Sequence, residues 1–322
     1  MKQNLYIRAD GGKSIGLGHL VRCIALGQML EKEVTITFVC KDAPEELSRE
    51  FKTNGFAFKP IKDEEEFLTL LNKNDIAVLD GYDFTGEYQL IVRDRCGKLV
   101  CIDDLAKGKF AADLIINHAP GITDADYNAQ PYTKFALGPA YALLRRSFLK
   151  KASAIPEPAV TASVLISFGG SDPLNLTLKT LKIAQTFMLL KHIGVLAGAS
   201  YGHLTSLKAE AKNDSRVVIH HAVSEEKVAQ LLSETQLCIV PASGSLFEAL
   251  AAGCKVISGM YVANQRRIFE GFKSLGAFES AGNFEADELK QAINRCLNKQ
   301  SHQRKIIDGK SPERLLNLFR AL

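Results

Sequence analysis

Short apolar runs recur along the whole chain, and each is followed by a stretch whose apolar residues return at helical spacing. In the first half the runs fall at residues 5–9, 35–39, 56–61, 76–79, 99–102 and 114–117. Helical patterns lie between them at about 20–30, 45–54, 64–71 and 87–96. This alternation predicts a parallel sheet with helices on both faces. Near-continuous runs such as Leu-Ile-Ile suit strands buried on both sides.

The rhythm breaks at 150–161, where KKASAIPEPAVTA is small, proline-bearing and short of large apolar residues. That stretch reads as a linker. The alternation restarts with strands predicted at 164–168, 193–197, 217–219, 237–240 and 256–258. Helices are predicted at about 174–189, 204–212, 225–232, 245–252, 265–275 and 287–297, with a short amphipathic helix at 312–322. The expected organisation is therefore a Rossmann-like domain over 1–150, a linker over 151–160 and a second Rossmann-like domain over 161–322. A length of 322 residues fits two domains of about 150 each. In such sheets ligands sit beyond the carboxyl ends of the strands, so the two sets of loops are expected to line a shared interdomain cleft.

Composition narrows the class without naming the chemistry. Apolar residues make up 46% and charged residues 24%, as in ordinary globular proteins. A net charge of +4 is too small to argue for nucleic acid. The seven cysteines are scattered and contain no CxxC, which argues against a disulfide framework or a zinc site and fits a reducing compartment. The N-terminus lacks an apolar signal region, and no apolar run approaches the ~20 residues that span a bilayer. The expectation is a cytoplasmic protein without membrane insertion, acting as a monomer.

Candidate chemistry clusters after predicted strands. The first strand runs into RADGGKSIGLGH (8–19), whose glycines let backbone approach a ligand closely. The loop matches neither GxGxxG nor a Walker motif. Arg8, Asp10, Gly16 and Gly18 are candidate substrate contacts. His19 falls at the first turn of the next helix, where the positive end of the dipole disfavours imidazolium. It is expected to be neutral and to serve as a general base, or else simply to bond a nearby carbonyl. After the sixth strand, Asn117 is a further candidate contact, as is Tyr82 after the fourth. Asp80, Asp83, Asp103, Asp104 and His118 crowd the same rim, as supporting or turn-forming residues.

In the second half, SFGGSD (167–172) places Gly169 and Gly170 after the first strand, with Ser171 or Asp172 available to cap the next helix. PASGSLFE (241–248) places Ser243, Gly244, Ser245 and Leu246 at a helix start. Backbone N–H groups there suit a diphosphate without lysine or metal. Glu248, one turn on, suits the two ribose hydroxyls, or simply the helix dipole. Asn264 and Gln265 could bond sugar or phosphate, or cap the helix that follows. His220 and His221 could wall a base ring or lie on the surface.

These segments carry a resemblance. RADGGKSIGLGHLVRC, VLDGY up to Tyr82, CIDD up to Asp104, ADLIIN up to Asn117 and GPAYALLR up to Arg145 resemble the UDP-sugar hydrolases of pseudaminic acid biosynthesis. Those enzymes act on UDP-2,4-diacetamido-2,4,6-trideoxy-β-L-altropyranose. SFGGSD, the Ser-Gly-Ser…Glu248 loop and Asn264-Gln265 are similar to them and to the wider GT-B class, including the GlcNAc transferase of peptidoglycan synthesis. The resemblance implies a GT-B fold and a metal-independent, cofactor-free, inverting hydrolysis. It implies that His19 is the catalytic histidine, Tyr82 a cleft residue, and that 243–248 with Asn264 and Gln265 bind UDP. A glycosyltransferase using the same donor and a non-catalytic nucleotide-sugar binding protein remain the alternatives.

Overall fold

A computed structural model describes residues 2–12, 17–154, 159–298 and 305–322. Gly16 and residues 155–158 of the expected linker lie outside the described residues. The chain divides into two compact units, Met1–Arg146 with Lys310–Leu322, and Ser147–Gly309.

The first unit contains β1 (Gln3–Ala9), α1 (Gly18–Leu30), β2 (Val34–Cys40), α2 (Glu45–Thr53), β3 (Ala57–Pro60), α3 (Glu64–Leu70), β4 (Ile76–Asp80), α4 (Gly86–Arg95), β5 (Lys98–Ile102), β6 (Lys109–Phe110), β7 (Leu114–Asn117), β8 (Asn128–Ala129) and β9 (Lys134–Leu137). Seven strands form one parallel sheet in the order β3-β2-β1-β4-β5-β7-β9. Strand β4, Ile-Ala-Val-Leu-Asp, is buried at every position, as a strand covered on both faces must be. The chain builds outward from β1 to β3, then returns to β1's other side with β4. That reversal opens a crevice at the carboxyl ends of β1 and β4, where Ala9 and Asp80 are register partners. Strand β9 falls outside the predicted set: only Ala136 of its four residues is buried, so it lacks the apolar run that marks the central strands.

The second unit begins within α5 (Arg146–Ser153), followed by β10 (Val160–Ser167), α6 (Leu176–Gln185), β11 (His192–Ala197), α7 (Leu204–Ala211), β12 (Val217–His221), α8 (Glu225–Glu234), β13 (Thr235–Pro241), α9 (Gly244–Ala252), β14 (Lys255–Gly259), α10 (Arg266–Ser274), β15 (Glu279–Ser280) and α11 (Ala286–Asn298). Its sheet runs β12-β11-β10-β13-β14-β15, again parallel, with its reversal between β10 and β13. Helix α5 occupies ground on which the sequence suggests the end of a domain and the start of a linker. Its Phe148, Leu149 and Ala152 share one buried face, a pattern too short to stand out among lysines.

The last helix, α12 (Ser311–Arg320), departs from the expected boundaries. The sequence assigns it to the domain it follows, yet it packs against α1 in the core of the first unit through Leu315 and Phe319. Arg320 pairs with Glu33 at 2.6 Å, and Arg314 donates to the carbonyl of Ala140. An amphipathic helix declares an apolar face but not which core that face completes.

Polar groups are also sealed into the first unit. His118, just beyond β7, is buried, and its Nδ1 accepts the Leu143 amide at 3.2 Å. Burial removes hydration from its imidazolium and the Arg22 guanidinium adds repulsion, so its pKa is pushed down to about 3.

Two stability measurements follow from this architecture. Leu315 is fully buried, so Leu315→Ala should cost about 2–5 kcal/mol, read from urea unfolding; an effect near zero would place α12 outside the core. His118 stays neutral when folded, while the unfolded chain protonates it below about pH 6.5. Stability should therefore fall as pH drops from there towards 3, by up to about 1.4 kcal/mol per unit from this group. His118→Gln should flatten that limb between pH 7 and 5, whereas an unchanged slope would assign it to other groups.

Candidate active site

The crevice between β1 and β4 is lined by Arg8, Asp10, His19, Lys41, Glu64, Asp80, Gly81, Tyr82, Asp83 and Phe84 and encloses about 120 Å³. Helix α1 starts at Gly18 and carries His19 in its first turn. Because β4 is the neighbour of β1, the His19 ring meets the last residue of β4. His19 Nδ1 lies 2.6 Å from Asp80 Oδ1. A carboxylate at that distance requires a proton between the two atoms, so Nδ1 carries the hydrogen and donates it. With the hydrogen on Nδ1, the other nitrogen, Nε2, is the one that can accept a proton. His19 is 6% exposed, so the lining of the crevice is its outlet to solvent.

Asp80 is held in turn by Arg22, three residues beyond His19 and hence on the same side of α1. Arg22 Nε donates to Asp80 Oδ2 at 2.7 Å and Nη2 to Oδ1 at 2.5 Å. Its Nη1 reaches Asp104 Oδ2 at 3.0 Å. The Cys23 thiol donates to Asp80 Oδ2 at 3.4 Å. Burial by itself would raise the Asp80 carboxyl, but Arg22 and His19 overcome it and hold the group well below the usual carboxylate range. Tyr82, half exposed, stands edge-on to the His19 ring at 4.9 Å and donates its hydroxyl to Asp104 Oδ2 at 3.2 Å. Asp104 Oδ1 is buried with no hydrogen-bond partner among the described residues.

A second ionic cluster forms the opposite wall. Arg8 is wholly buried, and its five donors go to Asp10, Glu64 and the Val39 carbonyl. Asp10 also accepts the amides of Lys41 and Asp42, which ties the loop after β1 to the end of β2. Lys41 Nζ and the Tyr88 hydroxyl add to Glu64 at 2.8 and 3.0 Å. Arg8 thus has no donor left for a substrate, contrary to its expected role, and acts as a brace. Asn117 also departs from expectation. It is buried, its Nδ2 serves Tyr127 and Asp103, and its Oδ1 accepts the Ala119 amide.

In the second unit the candidate loops lie at the carboxyl ends of β10 and β13, the two strands flanking that sheet's reversal. Gly169 turns with φ +80°, a conformation side chains disfavour. Gly170 packs directly against the backbone of Gly198 after β11. Asp172 accepts the amides of Leu176 and Thr177 at 2.9 and 2.7 Å and so caps α6. Helix α9 opens at Gly244, and the Ser243 side chain makes no bond to the helix's own amides. Ser243, Ser245 and Glu248 are half-buried and Gly244 is exposed. Leu246 offers neither group expected of a ligand contact: its side chain is fully buried and its amide donates to the Ser243 carbonyl. Gln265 is buried and accepts the Tyr261 amide, closing its own loop, while Asn264 is exposed.

Asp80, Arg22 and Glu64 anchor the hydrogen-bond networks around the crevice, and sequence reasoning undervalued all three. Asp80 is read from the sequence only as one of several supporting or turn-forming rim acids, Arg22 lies in the RADGGKSIGLGHLVRC segment without a role of its own, and Glu64 belongs to no motif. The one local signal was the three-residue spacing of His19 and Arg22 on a helix. Among the described residues no cluster of His, Cys, Asp and Glu is arranged to hold a metal, and no helix is long and apolar enough to cross a membrane. None of the seven cysteines is in a disulfide, and all are buried.

No family model matches the chain. An uncharacterized protein of Methanocaldococcus jannaschii is 25% identical over 280 residues, covering 83% of this chain and 57% of that protein, so this chain spans little more than half of that relative. The UDP-2,4-diacetamido-2,4,6-trideoxy-β-L-altropyranose hydrolase of Campylobacter jejuni is 26% identical over 80% of this chain and 92% of its own. A spore coat polysaccharide biosynthesis protein of Bacillus subtilis is 23% identical over 84% and 81%. Among solved structures, MurG of Acinetobacter baumannii superposes with a TM-score of 0.66 at 13% identity, covering all of both chains. The UDP-GlcNAc 2-epimerase of Methanocaldococcus jannaschii superposes at 0.63 and 13%, also over all of both chains. At such identities the likeness speaks for architecture: the chain has the GT-B fold, two doubly wound Rossmann-like units in one polypeptide.

Proposed function

We propose that this chain is a nucleotide-sugar hydrolase that cleaves UDP-2,4-diacetamido-2,4,6-trideoxy-β-L-altropyranose to free sugar and UDP, with inversion and without a metal. The observation that carries the reading is the 2.6 Å contact between His19 Nδ1 and Asp80 Oδ1 on the wall of the β1–β4 crevice. The likeness to the Campylobacter hydrolase, which extends over most of both chains, supports the choice of substrate.

In this reading Nε2 of His19 takes a proton from a water molecule. The water oxygen bonds to the anomeric carbon as the bond from that carbon to the diphosphate oxygen breaks. Asp80 faces the Nδ1–H and stabilises the imidazolium that forms, and the proton then passes to solvent. UDP departs as an anion that needs no strong acid. In the second unit, the start of α9 at Ser243–Gly244–Ser245 suits the diphosphate through the amides of Gly244 and Ser245, the two hydroxyls and the helix dipole. Glu248 suits the ribose hydroxyls and Asn264 the phosphate or sugar. Tyr82 would contact the sugar beside His19.

Incubating the purified protein with the UDP-diacetamido sugar and no acceptor should release UDP and free sugar. A transferase would leave the donor intact until an acceptor is added, and a binding protein would bind without turnover. Nuclear magnetic resonance of the nascent sugar should show inversion; retention would replace water attack by a covalent carboxylate route. His19→Ala should lower kcat by about 10²–10⁴-fold, and near-normal turnover would remove His19 as the base. Asp80→Asn, which withdraws the charged acceptor from Nδ1–H, should lower kcat by about 10²-fold or more while leaving KM comparatively unchanged.

A further inference from the structure

We propose that Arg22 is the positioning residue of this site, a single guanidinium that fixes the His19–Asp80 pair and the Tyr82 wall in one geometry. The inference rests on the reading of His19 as the base. Arg22 grips Asp80 through Nε and Nη2 and Asp104 through Nη1. Its Nη2 also comes within 3.0 Å of His19 Nδ1. The two carboxylates it joins sit at the ends of adjacent strands, β4 and β5, and face different partners. Asp80 holds the His19 ring, and Asp104 holds the Tyr82 hydroxyl. Arg22 is 12% exposed at its side chain, so the fork is spent on these internal partners and does not reach for a ligand.

Geometry explains why arginine stands here. A guanidinium presents donors in a planar fork that can hold one carboxylate bidentately and a second carboxylate from its far side. A lysine ammonium supplies the same charge from one point and cannot fix the rotation of either carboxylate. If Asp80 turns, the hydrogen bond that aims His19 Nε2 is lost or redirected. If Asp104 turns, Tyr82 loses the bond that stands its ring against His19. Arg22 therefore acts through its neighbours and touches no reacting atom.

The test compares Arg22→Lys with His19→Ala on the UDP-diacetamido sugar. Arg22→Lys should keep the charge and a cooperative unfolding transition, yet lose kcat by about 10²-fold with KM within about threefold. The far-downfield proton signal of the His19 Nδ1–H, assigned by its absence in His19→Ala, should shift or broaden in the folded Arg22→Lys protein. A folded Arg22→Lys protein with kcat within about threefold of the parent, or with its loss confined to KM, overturns the proposal. Should the lysine variant not fold, Arg22→Ala is assayed with added guanidinium ion: recovery of kcat supports the proposal and no recovery overturns it. Activity retained in His19→Ala would instead remove the base assignment, a result separate from any Arg22 outcome.

Discussion

The first unit is organised around a carboxylate that has been taken out of water. Asp80 ends a strand buried at every position and carries its charge into the interior. An isolated buried carboxylate is costly and would ordinarily take up a proton. Here the Arg22 fork, the His19 Nδ1–H and the Cys23 thiol all donate to it, so the charge persists. Much else follows from that arrangement. The first turn of α1 must lie where His19 and Arg22 both reach β4, and β4 must adjoin β1. His118, close enough to feel the same guanidinium, remains neutral.

Topology supplies the placement. Each sheet reverses direction of growth once, between β1 and β4 in the first unit and between β10 and β13 in the second. Flanking loops diverge at such a point and leave a recess that packed helices cannot fill. The chain puts glycines there in both units: Gly11 and Gly12 after β1 in one, Gly169 and Gly244 after β10 and β13 in the other. The Arg8–Asp10–Glu64 brace then stiffens the first recess by joining the end of β1 to the start of α3 and, through Lys41, to the end of β2. Those bonds serve the scaffold, which is why Arg8, though it lines the crevice, has no donor to spare.

How much of this could be read from the residues depended on the range of each interaction. Strand and helix positions rest on local periodicity, and the two sheets match the predicted alternation closely: β7 covers 114–117 and α7 covers 204–211. The expected place of His19, in the first turn of a helix, is likewise where α1 carries it. Partnerships across the sheet were another matter. Asp80 is 61 residues from His19 and Asp104 is 82 from Arg22, and an aspartate after a strand looks the same whether it caps a turn or holds a histidine ring. Arg8 and Asn117 show the converse. Their side chains are those of a ligand site, but only the coordinates reveal that every donor is already committed. Helix α12 misled for a third reason, since proximity in sequence is a weak guide to which core an amphipathic face will join.

That terminal helix makes the first unit discontinuous, and synthesis on the ribosome proceeds in one direction only. The sheet of the first unit is complete as soon as β9 emerges, yet the surface of α1 destined for Leu315 and Phe319 stays bare while the entire second unit is made. During that interval the apolar side of α1 in the nascent N-terminal half lacks its cover. A chain cut ahead of Ser311 would therefore hold a whole second unit and an incomplete first one.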